Sequence, residues 1–251
     1  MTFEACAALV ERGDPERFRA GMAVPLEARR MLFALYAFNI EVSRAPWVTQ
    51  KPIIAEMRLQ WWRDALEEIA EGRAVRRHEV VEELAAHGDA AAARGLDRLV
   101  AARRWDVYAE AFADRAALEE YLDATSGELM WQAARLLGQA DEAVVRDFAF
   151  GVGVANLLRA VPALEARGRK PLVDGRPEGV AALAGDGLAA LDRARARRRE
   201  VGADARPALL AGWAARPVLR QAVREPMKVA EGALKVSPLR FARVSLFGWW
   251  V

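Results

Sequence analysis

The chain has 251 residues, of which 53% are hydrophobic and 29% are charged, and its formal net charge is +2. This composition is that of a globular protein and excludes an intrinsically disordered chain. Nucleic-acid binding needs a clustered basic face. The 37 basic residues of this chain are balanced by 35 acidic ones, so its charge does not indicate such a face. The single cysteine, Cys6, excludes a disulfide framework within this chain and a cysteine-ligated metal site. It favours a reducing, cytosolic compartment.

Apolar residues recur at helical spacing along most of the chain, and no alternating run indicates a strand. No run approaches the ~20 apolar residues that span a bilayer. Glycines and prolines in the stretch 166–187 predict a loop. In chain order, the predicted helices are 3–12, 26–44, 52–71, 77–87, 89–104, 115–137, 141–160, 188–200, 205–215 and 217–233.

The spacing within two of these helices predicts which face is buried. In helix 26–44 the predicted stripe is Leu32, Leu35, Tyr36, Asn39 and Val42. In helix 52–71 it is Ile54, Met57, Trp61, Ala65 and Ile69. Core packing therefore predicts a buried Trp61 and a half-buried Trp62.

The chain shows no internal repeat and no linker, so we expect one all-α domain over residues 1–251.

Gly151 and Gly153 lie in a helical pattern and not after a strand, which predicts close approach of two helices and no nucleotide site. His78 and His87 are nine residues apart without a helical ligand spacing, so we expect them at the surface or at helix caps.

Three segments, read in order, resemble the squalene/phytoene synthase family. Residues 35–39 read Leu-Tyr-Ala-Phe-Asn and residues 58–66 read Arg-Leu-Gln-Trp-Trp-Arg-Asp-Ala-Leu, similar to the family's Tyr-Ala-Phe-Cys-Arg and Arg-Leu-x-Trp-Trp-Arg helices. Residues 118–138 are similar to its Tyr…Gly…Leu-Gly helix. Residues 151–161 and 168–172 are similar to its Asn-Ile-Leu-Arg-Asp-Val and Gly-Arg-x-Tyr-Leu-Pro segments. The resemblance implies a single-domain, all-α isoprenoid (squalene/phytoene) synthase-like helical bundle.

The departures from the family pattern concern its chemistry. The family holds diphosphate through Mg²⁺, which prefers carboxylate and phosphate oxygens. The resemblance places its two Asp-x-x-x-Asp motifs at Ser43 and Trp47 and at Ala160 and Leu164, where this chain has no carboxylate. We therefore predict no catalytic residue, no bound metal and no cofactor.

Two prolines also depart from the family pattern. Pro46 and Pro162 lie within the stretches that carry the two motifs in the family. Because proline lacks an amide hydrogen and clashes with the preceding turn, we expect the helices to be interrupted at these two residues.

A second branch of the same fold resembles the chain more closely, namely the phytoene synthase-like assembly factors of mitochondrial respiratory complex I. Residues 37–41 read Ala-Phe-Asn-Ile-Glu and residues 158–160 read Leu-Arg-Ala, similar to the Ala-Phe-Asn-x-Glu and Leu-Arg-Ala segments of those proteins. Residues 57–62 read Met-Arg-Leu-Gln-Trp-Trp, similar to their Met-Arg-x-Gln-x-Trp segment, although the order of the aromatic residues differs. The resemblance implies a non-enzymatic assembly factor or accessory subunit of complex I (NADH:ubiquinone oxidoreductase). Its implied partners are complex I subunits, and its implied location is cytoplasmic and peripheral at the inner (plasma) membrane.

Six polar or aromatic residues are candidates for a remnant of the synthase cavity. Each of them is also compatible with an ordinary core contact or a satisfied hydrogen-bond network. They are Asn39, Glu41, Arg58, Trp62, Asn156 and Arg159.

The segment 239–251 combines arginines with large aromatic residues and is predicted to be a Trp-rich docking tail. Trp and Arg are enriched at binding hot spots, and Trp also at membrane interfaces, so its partner is either a protein or the membrane surface. The alternative is that the tail folds back on its own domain. The candidate docking residues are Arg240, Phe241, Arg243, Phe247, Trp249 and Trp250.

Two further functions remain open from the sequence. The chain is an active prenyl synthase if a displaced carboxylate pair, such as Asp64 and Glu68, holds the metal. Acids four residues apart are, however, common on solvated helix faces. The other alternative is a non-catalytic carrier that keeps an apolar cavity for an isoprenoid or a quinone.

Overall fold

The computed structural model describes residues 2–49, 51–108 and 110–248. Within these ranges the regular elements are all helical, apart from one isolated bridge between Ala140 and Val201. This confirms the predicted all-α class. The α-helices are α1 (Thr2–Gly13), α2 (Pro15–Met22), α3 (Leu26–Arg44), α4 (Pro52–Ala70), α5 (Glu79–His87), α6 (Ala90–Ala102), α7 (Trp105–Tyr108), α8 (Arg115–Leu122), α9 (Glu128–Leu137), α10 (Glu142–Glu165), α11 (Pro177–Ala196), α12 (Arg206–Leu209), α13 (Ala215–Arg224), α14 (Met227–Ala230) and α15 (Pro238–Phe247).

The chain divides into two compact units, each assembled from several segments. The first unit comprises Met1–Tyr108, Gln132–Gln139 and Ala203–Ala211. The second comprises Ala109–Trp131, Ala140–Gly202 and Gly212–Val251. The expectation of a single domain over residues 1–251 stays a prediction.

Helix α3 is the centre of the first unit. Its residues from Met31 to Ile40 are all buried, and α1 and α5 pack against it, while α4 packs on α6. The Phe33 ring stacks on Phe18 with 5.5 Å between ring centroids. A Cβ atom at Gly21 would lie 2.6 Å from the same ring, so α2 reaches α3 only because this residue has no side chain. The stripe predicted for helix 26–44 is buried throughout.

Helix α10 is the centre of the second unit, and it packs against α11 and α13. A Cβ atom at Gly151 would lie 2.6 Å from the Leu191 side chain and 2.8 Å from the Gly187 carbonyl oxygen, which confirms the predicted close approach of two helices. In the described part of the chain, α10 is the one helix long and apolar enough to cross a membrane. Half of its most apolar stretch is buried inside the protein, as in the core helix of a globular domain.

Three predicted helix boundaries were wrong. Helix α11 begins at Pro177 and not at 188, because a proline suits the first turn and its glycines are tolerated where they pack closely. The helix containing Pro162 continues to Glu165, since a proline so near the helix end removes a single hydrogen bond. The predicted helix 217–233 is divided into α13 and α14 at Pro226.

A charge cluster with one buried carboxylate joins α10 to the turn before α9. Residues 115–137 are helical as predicted, but Asp123–Gly127 forms a π-helical turn between α8 and α9. The Arg146 guanidinium donates to Glu142 at 2.7 Å, to Asp123 at 2.9 Å and to Glu128 at 3.0 Å. Burial opposes the charge of Arg146, but these three carboxylates outweigh it and raise the Arg146 pKa. Glu128 is 2% exposed, so the Arg146 guanidinium compensates a buried negative charge.

Replacing Arg146 should therefore destabilise the second unit strongly. Arg146→Met removes a cation that pairs with the buried Glu128 carboxylate, and we expect the free energy of unfolding to fall by about 3–5 kcal/mol. Chemical denaturation at neutral pH measures this change. The matched control is Arg115→Met, which removes a half-buried arginine with two exposed carboxylate partners and should cost at most about 1 kcal/mol. Equal losses for the two variants would show that the Arg146 cluster contributes no more than a surface pair.

Candidate functional site

The tandem tryptophans of α4 define the part of the first unit that most resembles a synthase site. Trp62 is 4% exposed and meets the Phe38 ring of α3 edge-on, with 5.3 Å between centroids. Trp61 is half-buried, so the predicted order of burial for the two rings was wrong. The helix is rotated relative to the predicted stripe. The fully buried residues of α4 are Ala55, Leu59, Trp62, Ala65 and Leu66.

The ion pair of Arg76 and Glu68 covers Trp61, the more exposed of the two tryptophans. Arg76 donates to Glu68 through Nη2 at 2.7 Å, and its backbone amide donates to the same carboxylate at 3.0 Å. The guanidinium also donates to the Trp61 carbonyl oxygen at 3.0 Å and lies 4.8 Å from the Trp61 ring centroid. The hydrogen bonds from Arg76 hold the Glu68 pKa below its ordinary value. Glu68 is therefore committed to a structural ion pair.

His78 completes this aromatic cluster. Its ring lies 5.2 Å from each tryptophan ring, and its Nδ1 atom accepts the Val80 amide at the start of α5, at 3.3 Å. The predicted capping role is thereby confirmed for this histidine.

Asp64, the other half of the displaced carboxylate pair, lies on a different surface. It accepts a hydrogen bond from Gln60 at 2.7 Å. It lines an open groove of about 530 Å³ between α4 and α6, together with Arg63, Arg94 and Asp97. Arg63 and Asp97 pair with each other at 2.7 Å across this groove. The groove therefore mixes acidic and basic side chains, as on a solvated helix face, and does not gather the several oxygen ligands that Mg²⁺ needs.

The predicted remnant-cavity residues fall into two groups. In the first unit Asn39 and Trp62 are buried, Glu41 is half-buried and Arg58 is exposed. In the second unit Asn156 and Arg159 are exposed on α10. Their assignment to one cavity stays a prediction.

The four positions of the family's metal motifs do not fit a magnesium site. Ser43 is near the end of α3, where its hydroxyl donates to the Ile40 carbonyl oxygen at 3.1 Å. Trp47 belongs to the 3₁₀ turn Ala45–Trp47 that begins where α3 ends, next to Pro46. Ala160 and Leu164 are half-buried in the last turns of α10.

No replacement for these ligands is visible in the ranges 2–49, 51–108 and 110–248. There, no three or more His, Cys, Asp or Glu side chains are grouped so that they would hold a metal ion. Mg²⁺ requires hard oxygen ligands, and hydroxyl, indole and alkyl side chains do not replace carboxylates. The absence of bound metal and cofactor itself stays a prediction.

An exposed apolar cluster in the first unit did not appear in the sequence-based prediction. It comprises Val48 (53% exposed) before α4, and Ile53 (66%) and Met57 (65%) in its first two turns, with Ile54 beside them. The sequence did contain a signal for this exposed cluster, because α4 carries more apolar residues than one buried face accommodates. A contiguous apolar surface of this kind is typical of an interaction site.

The predicted docking tail is partly described. Arg240, Phe241, Arg243 and Phe247 lie on α15, whereas Trp249 and Trp250 are outside the described residues. Phe241 is half-buried and meets the Trp213 ring edge-on, with 5.4 Å between centroids. Phe247 is 62% exposed.

The fold and the motif segments define the class of protein. The profile of the squalene/phytoene synthase family matches residues 10–230, and the chain belongs to this family. Two solved structures show the same fold. A dehydrosqualene synthase superposes with a TM-score of 0.78 at 16% identity, covering 98% of this chain and 94% of that one. The squalene synthase HpnC from Alicyclobacillus acidocaldarius superposes with a TM-score of 0.73 at 18% identity, covering 90% and 94%.

The chain is also similar to proteins that are named as assembly factors of complex I. It is 33% identical to the Drosophila melanogaster protein named NADH dehydrogenase (ubiquinone) complex I, assembly factor 6 homolog, over 67% of this chain and 53% of that protein. It is 25% identical to the Homo sapiens and Mus musculus proteins named complex I assembly factor 6, over 62% of this chain and 48% of each. The chain thus spans about half the length of these relatives.

The two tryptophans provide a matched test of the packing of α4. Trp62→Ala removes a fully buried ring and should lower the free energy of unfolding by about 3–5 kcal/mol. Trp61→Ala removes a half-buried ring whose outer side faces Arg76, and we expect no more than about half of that loss. Denaturation of both variants under identical conditions gives the comparison. A larger loss at Trp61 would contradict the observed orientation of the helix.

The Glu68–Arg76 pair predicts a defined pH dependence of stability. Because the folded-state pKa of Glu68 is lowered, its contribution is fully present above the unfolded value of about 4.3 and is lost as pH falls through the folded value. The stability difference between the wild type and Glu68→Gln should therefore be constant near neutral pH and shrink below about pH 4. Denaturation curves across the acid range measure it. Glu67→Gln, at an exposed pair with Arg73, is the control and should show little difference at any pH.

Proposed function

We propose that this chain is a non-catalytic member of the squalene/phytoene synthase family that acts as an assembly factor or accessory subunit of respiratory complex I. Two points support it above the rest: the family fold is present, and the resemblance places Ser43, Trp47, Ala160 and Leu164, none of them a carboxylate, at the family's metal-binding positions. The names of the similar assembly factors supply the partner.

The chemistry of the synthase reaction explains why the residue types at these four positions matter. Ionisation of an allylic diphosphate leaves negative charge on the departing group, and bound Mg²⁺ stabilises that charge. Preorganised electrostatic stabilisation is commonly the largest contribution to lowering such a barrier. The alternative pair does not compensate, since Glu68 is held by Arg76, while Asp64 lies on a different surface beside the Arg63–Asp97 ion pair.

The surface of the first unit is suited to the proposed role. The cluster of Val48, Ile53, Ile54 and Met57 exposes large apolar side chains at the start of α4. Covering such side chains by a protein partner is favourable, and methionine adapts readily to the shape of its contacts. We therefore assign this cluster as the surface of the first unit that contacts a complex I subunit.

A deletion strain tests the function. Loss of the gene should lower assembled complex I and membrane NADH:ubiquinone oxidoreductase activity, and the wild-type chain should restore both. Tagged protein should co-purify with complex I subunits. The double variant Ile53→Asp/Met57→Asp should reduce that co-purification about ten-fold or more, since it places two charges in the apolar contact. Normal complex I in the deletion strain would contradict the proposal.

The enzymatic alternative has its own test. Purified protein incubated with farnesyl or geranylgeranyl diphosphate and Mg²⁺ should give no prenyl product. Product formation that Asp64→Ala abolishes would establish a synthase with a displaced metal site. Native mass spectrometry of the same preparation distinguishes a third outcome, because a co-purified isoprenoid or quinone would indicate a carrier.

A further inference from the structure

The C-terminal helix α15 has an apolar stripe on its outward side. Leu239 is 80% exposed, Leu246 is 78% exposed and Phe247 is 62% exposed. Residues 239, 243 and 246 recur at helical spacing, so Arg243 lies within the same stripe. Three large apolar side chains on three turns are more than scattered surface exposure explains.

The inward side of α15 is already occupied. Val244 is fully buried, and Phe241 packs against Trp213. The segment before the helix is held by Gln221 of α13, whose side-chain amide donates to the Lys235 carbonyl oxygen at 2.5 Å and accepts the Lys235 amide at 3.2 Å. The helix is therefore fixed to its unit by one face. The outward stripe is left for another partner.

Positive charge is concentrated in the part of the sequence that contains α13, α14 and α15. Residues 212–247 contain seven basic and two acidic residues, a net charge of +5, although the whole chain carries only +2. Arginines from α13 and α15 lie within electrostatic range of one another. Burial lowers the pKa of Arg240, and so do Arg243, Arg216 and Arg220 around it. Arg216 pairs with Asp192 at 2.8 Å, which compensates one of these charges. An anionic surface would relieve the remaining repulsion.

We propose that the outward face of α15 docks on an anionic phospholipid bilayer. Leu239, Leu246 and Phe247 would enter the boundary between headgroups and acyl chains, and Arg220 and Arg243 would meet lipid phosphates. Leu and Phe on one face of a helix, with cations beside them, are typical of a helix that lies in the membrane interface. A protein acceptor is the less favoured alternative, because lipid accommodates a convex stripe without a complementary groove.

The sequence after α15 agrees with this assignment. Trp249 and Trp250 follow the helix directly, and tryptophan is enriched at membrane–water interfaces. The proposal accounts for the predicted peripheral location at the inner membrane, and it does not depend on the proposed function. Lipid binding is a property of the purified chain and needs no complex I subunit.

Vesicle binding by the purified full-length chain tests the proposal. Vesicles of phosphatidylcholine alone are compared with vesicles of phosphatidylcholine and phosphatidylglycerol in equal parts, by flotation at low and high salt. We expect binding to the mixed vesicles at low salt and weaker binding at high salt, because screening reduces the attraction of the arginines. Leu246→Asp/Phe247→Asp should lower the partition coefficient at least about 30-fold. Arg220→Gln/Arg243→Gln should lower it about ten-fold or more.

The chain supplies a matched control for the first of these variants. Ile53→Asp/Met57→Asp makes the same change of charge at two equally exposed apolar residues of α4 and should leave vesicle binding unchanged. Thermal unfolding checks that all variants are folded. The proposal is overturned if the wild type does not bind the mixed vesicles, or if Leu246→Asp/Phe247→Asp binds them as well as the wild type.

Two combined outcomes separate this proposal from the proposed function. If Leu246→Asp/Phe247→Asp loses complex I co-purification while the wild type ignores lipid, the stripe contacts a protein, and the lipid assignment is wrong. If the wild type binds mixed vesicles through α15 but the deletion strain has normal complex I, the lipid assignment stands and the proposed function fails.

Discussion

Close packing between helices is the interaction on which this structure depends. In the first unit α3 is buried on every side over three turns, and in the second unit α10 meets α11 so closely that Gly151 has no room for a side chain. Burial of apolar surface supplies most of the stability of such bundles. Among the described residues, no three or more His, Cys, Asp or Glu side chains are grouped so that they would hold a metal ion.

Several charged residues of this chain hold its helices together through ion pairs. Arg146 joins three carboxylates around a π-helical turn, and one of them, Glu128, is almost completely buried. Arg76 holds Glu68 and covers Trp61. Each of these carboxylates is tied to a cation at hydrogen-bond distance. This arrangement stabilises a fixed conformation and removes the carboxylates from metal binding, which needs free oxygen lone pairs.

The proposed activities belong to two exposed surfaces, one in each unit. The first unit exposes an uncharged apolar cluster at the start of α4, which suits a protein partner. The second exposes an apolar stripe with arginines at its margin on α15, which suits an anionic bilayer. The chemical difference between the surfaces lies in the cations. A protein that assists a membrane-bound complex needs both kinds of contact, and separate surfaces allow each to be altered alone.

The sequence by itself determined the helical class, the family and most helix positions, because these follow from local spacing and from short ordered motifs. The buried stripe of α3 was predictable since nearly every residue on that helix from Met31 to Ile40 is apolar. The absence of carboxylates at Ser43, Trp47, Ala160 and Leu164 was likewise readable from the chain alone, once the family motifs were aligned.

Only the tertiary structure decided which side of an ambiguous helix is buried. Helix α4 is apolar at Ile53, Ile54 and Met57 as well as at Leu59 and Trp62, and spacing does not show which set faces the core. The glycines of α11 suggested a loop, whereas packing against neighbouring helices keeps that segment helical. Pairings such as Arg146 with Glu128 also join residues distant in sequence. In each case the outcome depends on contacts between elements, and local propensity carries no information about them.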